Sequence, residues 1–243
     1  MRSTPLTYFR PRHCGQLFLI FLLLSGWLAS SVYAFSPSPP DSLSANEDTL
    51  RLLFVGDVMG HGPQIRSAEI LKNKVYNYDP CFQYVKPIIQ QADLAIANLE
   101  VTLPGKPPYQ GYPRFRSPND LAHALRSAGF DLLVTANNHS NDAGKAGVIS
   151  TIKTVQELGF YQTGTFKNQL DRDVFYPLLV YKNGFKLAFL NYTYDTNKIP
   201  TRPPTVVNEI DEALIKADLA EAQQLKPDAI IVVMHWGNEY RYA

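Results

Sequence analysis

Four short stretches of this sequence concentrate side chains that bind metal ions or move protons. They are Gly56-Asp57-Val58-Met59-Gly60-His61, Asn98-Leu99-Glu100, Asn137-Asn138-His139-Ser140-Asn141-Asp142 and His235-Trp236-Gly237-Asn238-Glu239. Carboxylate, carboxamide and imidazole groups are hard or borderline ligands, suited to Mn, Fe, Zn or Mg. A histidine near a carboxylate suits acid–base work, because imidazole changes charge near neutral pH. Taken singly, each residue is ordinary. Asp57 after a glycine fits a turn, Asn138 and Asp142 fit a helix cap, and a lone histidine is usually a hydrogen-bonded structural residue. Their distribution is what points to chemistry. His61, His139 and His235 each fall just beyond an apolar run, whereas His123 lies inside a helical pattern and marks the unremarkable case.

Those apolar runs read as strands. Segments 52–55, 94–97, 132–135 and 230–234 are short, apolar and bounded by polar residues or glycine, as expected of strands buried on both faces. A fifth strand, 186–190, pairs with 176–181 across Lys182-Asn183-Gly184, since Asn-Gly is a strong hairpin signal. Helices are expected over 82–91, from Ser117-Pro118 to Ala128, over 144–158 before Gly159, and over 208–225. Cys81 is expected to be a buried filler at the start of the first of these. Alternating strands and helices with one hairpin make a layered α/β domain with a mixed sheet. In such sheets ligands bind beyond the carboxyl ends of the strands, which is where the four polar stretches fall.

The four ordered blocks, extended to Phe54-Val55-Gly56-Asp57-Val58-Met59, Ala97-Asn98-Leu99-Glu100, Ala136 to Asp142 and His235 to Tyr240, resemble the CapA family of poly-γ-glutamate capsule proteins. The resemblance implies an α-β-β-α sandwich like that of calcineurin-type metallophosphoesterases. It implies that Asp57, Glu100 with Asn98, Asn138 and His235 are metal ligands. It makes His139 an acid–base group, with Asp142 to orient it. The superfamily's opening Asp-x-His reads Asp57-Val58-Met59 here, and His61, two residues on, is a weaker candidate ligand. The closing Gly-His-x-His block is not in this sequence, and the expectation is a domain truncated at its C-terminus. Arg114 and Arg116, in a loop rich in Pro, Gly and Tyr, suit carboxylate or phosphate recognition, though a solvated crossover loop explains them too. Asn191, after the fifth strand, and Glu239 complete the candidate substrate contacts, with edge-strand packing the plain alternative for Asn191.

The remaining organisation follows from composition. Residues 1–34 carry Arg2, Arg10 and Arg12, no acid, an apolar core from Leu17 to Leu28 and small residues before Ala34, which is the pattern of a secretory signal peptide or an N-terminal anchor. Residues 35–49 are expected to form a Ser/Pro-rich linker, and 50–243 the CapA-like domain of metallophosphoesterase fold that the resemblance implies, incomplete at its C-terminus. Cys14 precedes the apolar core, so Cys81 alone remains afterwards and the domain relies on its core instead of an internal disulfide. A formal charge of +1 with no basic block argues against nucleic acid as partner. Two functions fit. One is an exported, metal-dependent hydrolase or transferase of capsule or poly-γ-glutamate synthesis, acting on a phosphoester or γ-glutamyl substrate, whether an anionic polymer or a small phosphoester. The other is a non-catalytic, metal-stabilised component that works beside capsule-assembly membrane proteins in the periplasm or cell envelope. Export predicts that N-terminal sequencing of the protein from its native host starts near Phe35; a cytosolic product that retains Met1 would contradict it.

Overall fold

The computed structural model describes residues 49–70 and 75–237. The expected signal segment and all of the linker but Thr49 fall outside the described residues, as does Glu239. In chain order the first elements are β1 (Leu52–Val58), α1 (Gly62–Ala68), β2 (Glu69–Ile70), β3 (Val75–Tyr76), α2 (Asp79–Phe82), α3 (Lys86–Ile89), β4 (Leu94–Leu99), α4 (Asp120–Ala128) and β5 (Leu132–Val134). Then come α5 (Gly144–Glu157), β6 (Tyr161–Thr163), β7 (Thr165–Phe166), α6 (Gln169–Phe175), β8 (Leu178–Lys182), β9 (Phe185–Thr193), β10 (Val206–Val207), α7 (Glu212–Gln224) and β11 (Ala229–His235).

Two sheets carry the architecture. One is parallel, in the order β1-β4-β5-β6. The other, β11-β9-β8, is mixed: β8 and β9 form the expected hairpin, while β9 and β11 run parallel. The hairpin turn is Asn183-Gly184, with φ of 48° and 85°, the left-handed pair that Asn-Gly adopts most readily.

Side-chain alternation along the strands sorts the core into three layers. Ala95, Ala97, Leu99 and Leu133 pack against Leu121, Leu125 and Val155 of the helices outside the first sheet. Their neighbours Leu94, Ile96, Leu132 and Val134 face Leu187, Phe189, Ile231 and Val233 of the second sheet. Leu190, Tyr192, Ile230 and Met234 face Leu214, Ile215 and Leu219 of α7. The result is the α-β-β-α sandwich, with an apolar seam between two sheets. The layer between the second sheet and α7 is polar at one point. Arg172 and the Tyr192 hydroxyl both donate to buried Asp218, at 2.7 Å each, and burial pushes the Tyr192 phenol up.

Several boundaries differ from the sequence expectation. The helix expected over 82–91 is two short helices, α2 and α3, because Pro87 has no N–H and its ring would meet the carbonyl of Gln83. Cys81 lies on α2 and is exposed, not a buried filler. The last helix starts at Glu212 and not at 208, because the Asp211 side chain caps it by accepting from Leu214 N–H at 2.7 Å. The preceding Val206–Val207 is drawn into a two-stranded ladder with β7. Among the described residues no helix is long and apolar enough to cross a membrane.

Phe189, with 0% exposure in the inter-sheet seam, is the natural probe of this packing. Phe189→Ala is expected to cost about 3–5 kcal/mol in urea denaturation, the usual range for a buried aromatic cut to alanine. A loss below about 1 kcal/mol would mean that the two sheets do not close over it.

Candidate metal centre

The inter-sheet face of each central strand turns polar at its carboxyl end. On β4, Leu94 and Ile96 face the seam, and Asn98 continues that face beyond them. On β11, Ile231 and Val233 do so, and His235 follows. Strand β1 needs a correction to join them. Leu53 and Val58 both pack on the helix side, although five residues apart in a strand should put them on opposite faces. The register shift between Phe54 and Asp57 resolves this: one extra residue of β1 forms a bulge, and Asp57 then pairs with Asn98. The bulge therefore turns Asp57 toward the second sheet.

The side chains meet there. Asn98 Nδ2 donates to Asp57 Oδ1 at 2.8 Å and lies 3.3 Å from His235 Nδ1. His235 Nε2 is 3.0 Å from Asn138 Oδ1 and 3.8 Å from Glu100 Oε1. Asn98 faces Nδ1 and Asn138 faces Nε2, so two carboxamides flank the His235 ring and fix its orientation. Its plane stacks on Tyr194. Glu100 follows β4 directly, and its backbone N–H donates to the Val58 carbonyl at 3.0 Å, which locks the end of β4 to the end of β1.

The 137–142 loop supplies the second half. Asn137 is fully buried and ties the loop to β4: its Nδ2 donates to Asn98 Oδ1 at 3.0 Å and to the Leu99 carbonyl at 2.9 Å. Its Oδ1 accepts from the His139 N–H at 3.1 Å. Asp142 Oδ2 accepts from His139 Nδ1–H at 2.7 Å and from the Phe115 N–H at 2.5 Å. That pairing leaves His139 Nε2 on the cleft side, 4.0 Å from Glu100 Oε1. The His139 ring also meets Phe115 edge-on, and Phe115 meets His61 in the same way.

One cleft of about 420 Å³ is lined by Asp57, Glu100, Asn138, His139 and His235 together. His123 sits exposed on α4, away from them. Within the cleft, Asp57, Glu100 and His235 each offer a ligand atom, and those atoms lie within 4.8 Å of one another. Two carboxylates and an imidazole match a borderline or hard divalent ion. Glu100 is only 5% exposed, and a carboxylate buried so deeply fits a site that receives positive charge.

Other expected residues fall in different places. Asn98 presents its amide nitrogen to Asp57 and turns its oxygen to Asn137, so it orients the group and does not offer an oxygen to it. His61 caps the start of α1 at the cleft rim, its N–H donating to Gln64 Oε1 at 2.7 Å, and is not part of the ligand group. Met59 lines the cleft. Arg114 is exposed, and neither it nor Arg116 lines the cleft. Arg116 instead pairs its backbone with Gln110, which closes the Pro-rich loop on itself. Asn191 is completely buried behind the cleft. Tyr194 lies in the stretch 191–195 that ends the fifth strand and lines the cleft, whereas Asn137, Phe115, Tyr112 and Trp236 are not legible from sequence as site residues. Asn137 was legible only as a neighbour of the Asn-His pair, and the aromatics come from separate loops.

The chain is also similar in sequence to known proteins. The model of the family described as bacterial capsule synthesis protein PGA_cap matches residues 51–243. The chain is 28% identical over 204 residues to the capsule biosynthesis protein CapA of Bacillus anthracis, covering 79% of this chain and 48% of that protein. It is 24% identical over 238 residues to the PGA biosynthesis protein CapA of Bacillus subtilis (strain 168), covering 91% and 57% respectively. The chain thus spans about half the length of the curated relatives it matches.

The Asp142 pairing makes a definite expectation. Asp142→Ala removes the acceptor of both the His139 ring and the Phe115 N–H, and a buried donor left without a partner costs about 1–3 kcal/mol. Urea denaturation should show that loss, and ¹⁵N NMR should show that His139 no longer holds its proton on Nδ1. An unchanged His139 ring would mean that Asp142 does not set its tautomer.

Proposed function

The chain belongs to the bacterial capsule synthesis protein PGA_cap family, and from that premise we propose that it is a metal-dependent hydrolase or transferase of capsule polymer synthesis. Its substrate is a phosphoester or a γ-glutamyl bond, and it works outside the cytoplasm. The observation that carries the reading is the meeting of two groups in one cleft: Asp57, Glu100 and His235, and the Asp142–His139 pair.

Asp57, Glu100 and His235 would hold the ion, with Asn138 Oδ1 beside His235. When bound, a divalent ion supplies Lewis-acid polarisation of a substrate oxygen. The chain supplies the rest. Asp142 fixes the His139 proton on Nδ1 and stabilises the ring when it becomes cationic. His139 Nε2, facing the cleft, takes a proton from an attacking group or gives one to a leaving oxygen or nitrogen. Phe115 shields one side of the ring from water. The aromatic walls, Tyr112, Tyr194 and Trp236, bound the space in which a substrate would lie.

A second reading, a metal-stabilised assembly component without turnover, is favoured by Met59. A thioether lines the cleft where the superfamily's motif has a second imidazole. The two readings separate on paired variants of the full-length protein. Asp57→Ala should lower metal content measured by mass spectrometry. His139→Ala should keep the metal and reduce turnover of p-nitrophenyl phosphate esters or γ-glutamyl p-nitroanilide by roughly 10²–10⁴, the usual worth of an acid–base group. If His139→Ala strips the metal as well, His139 is a ligand. If wild type binds metal but turns over neither probe, the assembly component is favoured.

A further inference from the structure

Asn191 sits on β9 opposite Val233, two residues before the level of His235, continuing the row of Leu187 and Phe189. It has 0% exposure. Its Oδ1 accepts from the backbone N–H groups of Thr135 at 3.2 Å and Ala136 at 2.7 Å. Those residues lead from β5 directly into the loop that carries Asn138 and His139. Its Nδ2 donates to the Val233 carbonyl at 3.1 Å, on β11 two residues before His235. A further approach of Nδ2 to the Ala136 carbonyl, at 3.5 Å, is too long to be a strong bond. The backbone of Asn191 is fixed as well: its N–H donates to the Tyr176 hydroxyl at 3.1 Å, and its carbonyl accepts from Asn208 Nδ2 at 3.2 Å.

One carboxamide therefore touches both sheets where the two halves of the site meet. A hydrocarbon side chain at this position would continue the seam but leave the buried Ala136 N–H without this acceptor, while the Thr135 N–H would keep only the Thr163 carbonyl, at 3.0 Å. The surroundings are shaped to admit the amide. Gly164 has φ +103°, and a Cβ there would stand 2.0 Å from Asn191 Oδ1 and 2.6 Å from the Ala136 nitrogen. The chain omits a side chain at the point where the amide passes.

We infer that Asn191 is a positioning residue: its carboxamide sets the spacing between the loop bearing Asn138 and His139 and the strand bearing His235. This rests on the metal-centre reading given above. It gives Asn191 a role distinct from substrate contact, since the side chain is buried away from the cleft.

The test uses Mn²⁺ as probe and ¹⁵N-histidine NMR of the metal-free protein as a second readout. Asn191→Ala is expected to weaken Mn²⁺ binding by roughly 10–100-fold, the range for residues that orient ligands. It should also displace the imidazole signals of both His139 and His235. Leu125→Ala, which opens a cavity in the helix-side core, should destabilise the fold yet leave both signals and Mn²⁺ affinity in place. Asn191→Ala with wild-type Mn²⁺ affinity and unmoved histidine signals overturns the inference, and so does Leu125→Ala moving the same signals. If wild type itself does not bind Mn²⁺, the metal reading fails while the histidine signals still decide the positioning role. If Asn191→Ala does not fold, Asn191→Asp decides. It keeps an acceptor for Thr135 and Ala136 but loses the donor to Val233, so the His235 signal should move and the His139 signal should hold. An unmoved His235 in Asn191→Asp overturns the inference.

Discussion

The seam between the two sheets is the constraint on which the site depends. It is hydrocarbon along most of its length and becomes polar at one end, where the carboxyl ends of β1, β4, β9 and β11 come together. Alternation within a strand is rigid, so a residue on the seam face near the middle fixes which residue reaches the seam face at the end. Ile96 commits Asn98, Val233 commits His235 and Phe189 commits Asn191. Packing of the apolar portion therefore aims the polar portion. In β1 the aim is changed by one extra residue, and the bulge brings Asp57 onto the face that Asn98 occupies.

Carboxamides do most of the holding. Asn98, Asn137, Asn138 and Asn191 connect Asp57, His235, the His139 backbone and the two sheets. A neutral amide both donates and accepts, so it can bridge a carboxylate to an imidazole without adding charge. Aspartates at these places would crowd more negative charge around Asp57 and Glu100 and lose the donors. Charge is kept where it has a use: Asp57 and Glu100 near the imidazole of His235, and Asp142 behind His139. The Asp142 carboxylate is separated from Asp57, Glu100 and His235 by the His139 ring, so its interaction acts through that ring.

The residues beyond the strands were readable because buried strands are short apolar runs, and the break into Asp, Asn, Glu or His is abrupt. The Asn183-Gly184 hairpin and the helix ending before Gly159 were readable for a similar reason, since each depends on a local conformation that few residues adopt. What escaped is non-local. Nothing in the sequence near Asn191 reveals that its amide reaches the backbone of Thr135 and Ala136, more than fifty residues away. The same holds for Phe115, which arrives from the Pro-rich loop to pack on His139. Arg114 and Arg116 attracted attention by type, but the backbone ladder of that loop brings the Phe115 ring to the cleft, and neither arginine lines it. The bulge in β1 was likewise invisible, because Val55-Gly56 reads as a plain strand end until the partner strand fixes the register.

The proposed function requires that Asp57, Glu100 and His235 close on one divalent ion. Anomalous diffraction from crystals grown with Mn²⁺, collected at the manganese edge, tests this directly. The account predicts an anomalous peak bounded by Asp57, Glu100 and His235, with His139 outside its ligand shell. A peak elsewhere, or a cleft with no peak at saturating Mn²⁺, would contradict it.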